Sequence, residues 1–169
     1  MSGKLKIRLV KEKDLTKVSS IFVKVYTNFD VGEKWTLNSA KKLFKYYYKS
    51  YPDLFFVAEV DGILVGAFCS SVKPWWDGNH LIGGEVFVDP DYQRKGIATE
   101  LYKKLYRQAL KKYAVSYSES VTFKNFKFPL EWHKSRGYKE FKDWCVLFGN
   151  VKEMLKIIEK NSKLKKNQK

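Results

Sequence analysis

The sequence predicts an α/β (α+β) domain built on a mixed, mostly antiparallel sheet of six to seven strands flanked by helices. Three observations predict it. Apolar residues recur at two-residue and 3.6-residue steps in the order β-α-α-β-β-β-α-β-α-β. Two apolar runs, Leu54–Val60 and Ile63–Val72, meet at Asp61-Gly62, a strong short hairpin signal. The stretch Glu85–Tyr113 joins a short strand to a long helix through a proline-marked exit and Gly96. Residues 1–150 read as one domain, and residues 151–169 as a C-terminal helix and basic tail.

Lys4–Val10 alternates apolar Leu5, Ile7 and Leu9 with basic residues, the pattern of a half-buried strand. Asp14 is the expected N-cap of a helix carrying Leu15, Val18, Phe22, Val25 and Phe29 on one face, broken at Asp30-Val31-Gly32. Thr36 is placed to cap a second helix with Leu37, Ala40, Leu43, Phe44, Tyr47 and Tyr51, stopped before Pro52. After the Asp61-Gly62 hairpin, Lys73–Asn79 reads as a turn holding Trp75 and Trp76, either capping the sheet end or walling an acceptor pocket. His80–Val88 is the fourth strand and Val115–Phe123 the fifth. Phe128–Arg136 reads as a short helix stopped by Gly137. Tyr138–Phe148 supplies the last strand or two, Val151–Lys160 a terminal helix, and Asn161–Lys169 a disordered basic tail.

The chain of 169 residues is long enough for a sizeable core, and 44% hydrophobic content excludes intrinsic disorder. No apolar run reaches the ~18–20 residues of a membrane span, and Met1–Asp14 lacks a signal-peptide core. Cys69 and Cys145 sit in apolar runs without metal or redox spacing, so buried thiols and the cytoplasm are expected. The formal net charge of +15 comes mainly from lysine, 29 of 33 basic residues. Such a field attracts anions, nucleic acid among them, and opposes capture of polycations. A lysine-rich composition spread over solvated helix faces accounts for it equally well.

Within Glu85–Tyr113, Val86, Phe87 and Val88 form the strand, Asp89-Pro90 its exit, and Gln93-Arg94-Lys95-Gly96-Ile97-Ala98 leads into a helix. Unpaired N–H groups at a helix start, with the helix dipole, suit a phosphate, and glycine lets it approach the backbone. The order Gln-Arg-Lys-Gly-Ile-Ala after Val-Asp-Pro-Asp-Tyr resembles the acetyl-CoA-binding motif of the GCN5-related N-acetyltransferases, Gln/Arg-x-x-Gly-x-Gly/Ala. The likeness extends over about residues 5–149 and implies a single N-acetyltransferase domain. It implies that Val86, Phe87 and Val88 offer backbone groups to the pantetheine arm, with the Val88 N–H polarising the thioester carbonyl. It further implies that Arg94, Lys95, Gly96, Ile97, Ala98 and Thr99 hold the pyrophosphate while Gln93 braces the loop.

Glu85 is the carboxylate beside this motif and a candidate general base. In many relatives the base sits on the alternate face, at positions that here are Gly84 and Ile82. Regular alternation points Glu85 away, and a β-bulge would swing it in. A sheet-face salt bridge is the plain alternative, and His80 could serve through a water. Trp132-His133-x-x-x-Gly137-Tyr138 resembles the family's Phe-Tyr-x-x-x-Gly-Phe element, which puts His133 where a tyrosine often protonates the CoA thiolate. A histidine stacked on a helix surface is the competing reading. Ser118-Glu119, Asn125 and His133 together resemble aminoglycoside 6′-N-acetyltransferases. There Glu119 replaces an aspartate that receives the substrate amine, and Asn125 lies in the loop before the CoA-contacting helix.

These residues predict acetyl-CoA as co-substrate and a primary amine as acceptor, attacked directly in a ternary complex. A small-molecule amine is the first choice, and a protein N-terminus or lysine the second. A different class of reading is an inactive domain of the same fold that binds nucleic acid or regulates. No metal and no membrane partner are expected, and a homodimer is compatible with the sequence.

Overall fold

Alternating Leu5, Ile7 and Leu9 form β1 (Leu5–Leu9), which pairs antiparallel with β2 (Phe55–Val60). β2 pairs with β3 (Ile63–Trp75) across the Asp61-Gly62 turn, where both residues take positive φ, as the dipeptide predicts. β3 pairs with β4 (Gly78–Val88), and β4 alone pairs in parallel, with β5 (Val115–Ser118). The computed structural model describes residues 3–28 and 32–166. Phe29, Asp30 and Val31 of the first expected helix and its break, and residues 167–169 of the expected tail, lie outside them. The described chain falls into two units that divide between Asn125 and Phe126.

In the first unit the five-stranded sheet has the order β1-β2-β3-β4-β5. One face carries α1 (Leu15–Thr27) and α2 (Leu37–Ser50), whose Val18, Ile21, Phe22, Ala40, Phe44 and Tyr47 are buried with Phe55, Cys69 and Phe87 of the sheet. Phe22 meets Phe44 and Phe87 edge-on at 5.0 and 5.2 Å, and burying each such ring contributes on the order of 2 kcal/mol. The other face carries α3 (Ile97–Tyr113), with Leu101 and Leu105 fully buried and Tyr102 stacked 4.4 Å from Phe68.

Thr36 caps α2 as expected, its hydroxyl accepting the Ser39 N–H at 3.1 Å. Asp14 does not cap α1. Its carboxylate instead accepts the Lys11 N–H at 2.7 Å and pairs with Arg8 at 2.6 Å, because a 3-10 turn at Glu12–Asp14 already leads the chain into the helix. The turn read over Lys73–Asn79 shrinks to Trp76-Asp77, since Lys73, Pro74 and Trp75 stay paired with His80, Asn79 and Gly78.

β5 ends at Ser118 rather than Phe123. It pairs only with Asn79, His80 and Leu81; after the Glu119 N–H bonds Leu81 O at 2.8 Å the ladder stops, and Val121 is exposed.

In the second unit, α4 (Lys127–Lys134) ends as expected. Gly137 takes φ +92°, its N–H bonds Lys134 O, and the Tyr138 N–H bonds His133 O. The strand expected over Tyr138–Phe148 does not form, so the sheet counts five strands among the described residues where six to seven were expected. That segment finds no strand to pair with among the described residues of its unit, and unpaired extended backbone lacks the ladder bonds that define a strand. α5 (Val151–Lys166) runs past the expected end at Lys160, its first N–H groups capped by the Asn150 side chain.

Candidate active site

β4 carries the site because its two halves have different neighbours. Through Leu81 it is held on both sides. From Ile82 to Val88 its outer edge has no strand partner among the described residues. The Asp89 N–H bonds Val65 O at 2.7 Å on the β3 side. Antiparallel alternation then turns the backbone of Phe87 and Glu85 toward β3 and that of Val86 and Val88 toward the open edge. The Gln93 side-chain amide donates to Val88 O at 3.0 Å from that edge. The Val86 and Val88 N–H groups thus line a gap into which an extended chain can lay its own amides. Phe87 differs from its two neighbours: its ring is buried in the core and its backbone faces β3.

Between Cys69↔Glu85 and Ser71↔Ile82 the register of β3 against β4 slips by one residue. The extra residue is a β-bulge at Gly83-Gly84, with Gly83 at φ +59°. A side chain at Gly83 would meet the Tyr47 hydroxyl from α2, and one at Gly84 would meet Phe68 on the opposite face. Glu85 follows on the α1/α2 face with Phe87 and Cys69. Because of the slip it shares that face with Ile82, the partner of Ser71, where unbroken alternation would separate them.

The environment of Glu85 suits proton transfer. The Tyr26 hydroxyl of α1 donates to its Oε2 at 3.1 Å. Burial, helped by the negative charge of Glu33, pushes its carboxyl up to about 7, and the Tyr26 bond only partly offsets this. A half-buried carboxylate that titrates near neutrality is matched to taking a proton from an ammonium. Burial likewise raises the Tyr26 phenol, so Tyr26 stays a donor. Sequence reasoning missed Tyr26 and Tyr47. Their signal was a tyrosine on an otherwise apolar helix face, whose hydroxyl must find a partner.

Past β4, a 3-10 turn over Pro90–Tyr92 leads to Gln93, Arg94, Lys95 and Gly96. Lys24 of α1 ties this turn down through Asp89 at 2.6 Å and Asp91 at 2.8 Å. Arg94 and Gly96 both take positive φ, +60° and +78°. Gly96 is the N-cap of α3, and nothing lies within 4 Å of where its Cβ would be. Open space beside the N–H groups of a helix start, at Gly96, Ile97, Ala98 and Thr99, is what a phosphate requires. Ile97 is buried and anchors the turn, while Arg94 is exposed and Lys95 donates to Asp91 O at 3.2 Å over the Tyr92 ring.

Within the first unit, Glu119 is not gathered at Glu85. Glu119 accepts from His80 Nδ1 at 2.6 Å, and Asp77 faces His80 Nε2 at 2.8 Å. Bonding to Glu119, then to Asp77, raises the His80 imidazole and favours its charged form. Trp75 and Tyr117 pack around this ring. Glu119 is therefore engaged in an ion pair at the far end of β4. Asn125 is exposed in the turn that ends the first unit. In the second unit, His133 lies half-buried on α4, edge-on to Trp132 and Tyr138. Burial, then Arg136, lowers it and keeps the ring neutral.

The sequence profile of the Acetyltransferase (GNAT) family matches residues 19–138, from α1 through the residue after Gly137. The chain belongs to this family. An uncharacterized N-acetyltransferase of Methanocaldococcus jannaschii is 32% identical over 141 residues, 79% of this chain, and this chain spans 60% of that relative's length. A possible acetyltransferase from Clostridium difficile 630 shares the fold with a TM-score of 0.73 at 17% identity, covering 87% of this chain and 98% of that one. The aminoglycoside N-acetyltransferase AAC(6')-Iy, solved with CoA, gives 0.68 at 16% identity, covering 89% and 97%. At such identities these two structures establish the GNAT fold and no more. No helix among the described residues is long and apolar enough to cross a membrane, and those residues hold no cluster of metal ligands.

Proposed function

We propose that this GNAT-family chain transfers the acetyl group of acetyl-CoA to a primary amine of a small molecule, in a ternary complex, with Glu85 as general base. The observation that carries the reading is Glu85 itself. It is recessed on the α1/α2 face, one residue from the open edge of β4, and titrates near neutrality. The residues present fit the co-substrate: the first-turn amides and the open space at Gly96 suit a pyrophosphate, and the Val86 and Val88 edge suits a pantetheine arm. Acetyl-CoA supplies an acyl group activated as a thioester. Glu85 accepts the proton that leaves the amine, Tyr26 holds the carboxylate in place, and the Val88 N–H is aimed at the edge where carbonyl charge develops. Gln93, through Val88 O, fixes the strand end against the loop.

The small-molecule acceptor is supported by the recessed position of Glu85 beneath Tyr26 and by the aminoglycoside acetyltransferase among the structural neighbours. The inactive nucleic-acid-binding reading draws on the lack of a base at residues 82 and 84, on the absent tyrosine and on the basic tail; with Glu85 read as the base, the first of these falls away. His133, held neutral, is better suited to accept a hydrogen bond than to protonate a thiolate. As part of this reading, residues 1–150 act as the acetyltransferase domain and residues 151–169 as an appended helix and tail.

Calorimetric titration with acetyl-CoA should show saturable binding, and its absence would overturn the reading. Thiol release from acetyl-CoA, followed across a panel of small amines and of peptides, should occur with small amines. Release with peptides alone would replace the acceptor class.

A further inference from the structure

We propose that Tyr47 is a positioning residue for Glu85, acting through the β4 bulge: its hydroxyl, bonded to Gly83 O, fixes where the extra residue of the strand sits and so which face Glu85 occupies. The inference rests on the reading of Glu85 as the base. Tyr47 comes from α2, is 6% exposed, and donates its O–H to Gly83 O. That carbonyl belongs to the residue squeezed out of the β3–β4 ladder, beyond the last residue that β5 reaches.

Two consecutive glycines specify register poorly, because neither offers a side chain that prefers one face. Sliding the bulge one position toward the C-terminus would turn Glu85 to the opposite face, where Phe68 and Tyr102 stack, away from its bond to Tyr26 of α1. Apolar packing of Val86, Phe87 and Val88 resists the slip from one side. The Tyr47 bond resists it at the bulge itself. The groups that face Glu85 are Tyr26 of α1, Glu33 of the loop after it, Tyr47 of α2 and Cys69 of β3. Among these, Tyr26 bonds the carboxylate, while Tyr47 bonds the backbone of the bulge and Cys69 that of Glu85.

The test follows the Glu85 carboxyl directly by carbon-13 NMR on glutamate-labelled protein, assigned by its loss in Glu85→Gln. In the wild type it should titrate near neutrality. In Tyr47→Phe, which deletes one oxygen and keeps the ring, its midpoint should shift by at least one pH unit as the side chain leaves its pocket. Gly83→Ala, whose Cβ would press on the Tyr47 hydroxyl at 3.2 Å, should move it the same way. An unchanged midpoint in Tyr47→Phe overturns the proposal. The base reading fails separately, if Glu85→Gln retains full thiol release, and that result leaves the NMR outcome for Tyr47 intact.

Discussion

The Tyr26 hydroxyl lies 3.1 Å from Glu85 Oε2 and joins α1 to the strand that borders the open edge of the sheet. A tyrosine 59 residues away in the chain thereby holds this carboxylate in place. Removing that carboxylate should cost proton transfer and little else. Glu85→Gln is expected to lower acetyl transfer by roughly 10²–10⁴-fold, with acetyl-CoA affinity within about twofold of the wild type by calorimetry. Retained turnover would assign the base elsewhere.

The same residue predicts a pH signature with opposite effects on rate and stability. As base, Glu85 works ionised, so kcat/KM should fall as pH drops below about 7. Its folded value lies above the unfolded one near 4.5. The folded chain therefore holds the proton over that window while the unfolded chain releases it, and stability declines as pH rises from about 4.5 to 7. Glu85→Gln should then melt higher than the wild type above about pH 7, by on the order of 1–3 kcal/mol, and converge with it in acid. Scanning calorimetry at about pH 5 and about pH 8 measures the difference.

Gly96→Ala separates binding from folding. The φ of +78° costs a side chain about 1–2 kcal/mol, while the open space around the Cβ adds no clash. The variant should fold, with a modestly lower melting temperature. Its acetyl-CoA dissociation constant should rise more than tenfold, because the methyl group enters the space left for phosphate. Equal affinity in the variant would move the phosphate site away from this turn.

Glu119→Gln probes the ion pair at the other end of β4. Bonding to Glu119 first, and then to Asp77, raises His80, so this stabilisation is complete below the unfolded histidine value and is lost as pH rises through the folded one. The variant should lower the His80 midpoint in proton NMR, and should destabilise the fold more at about pH 6 than at about pH 9. Because Glu119 is bound to His80, acetyl transfer in mild base should change less than fivefold, against a large loss if Glu119 receives the acceptor amine.

Much of the fold was legible in local sequence. The Asp61-Gly62 hairpin, the Thr36 cap, the Gly137 stop and the Gln93–Thr99 loop each depend on a few neighbouring residues whose conformational demands are strong. The strand over Tyr138–Phe148 failed because alternation reports only a capacity for strand, and a strand exists only where an edge is available to pair. Asp14 failed for a related reason: its carboxylate found Arg8 and the Lys11 N–H before it could find a helix start.

The sequence by itself determined the helix faces, the turn glycines and the cofactor-type loop, since these follow from periodicity and from the φ values that only certain residues adopt cheaply. It could not decide the side on which Glu85 stands. A strand alternates strictly, so one extra residue reverses every face beyond it, and the position of that residue is set by α2 and β3 from outside the strand. Only the packing of Tyr47 and Tyr26 against β4 turns a carboxylate that regular alternation points away into one that shares the α1/α2 face with Phe87 and Cys69.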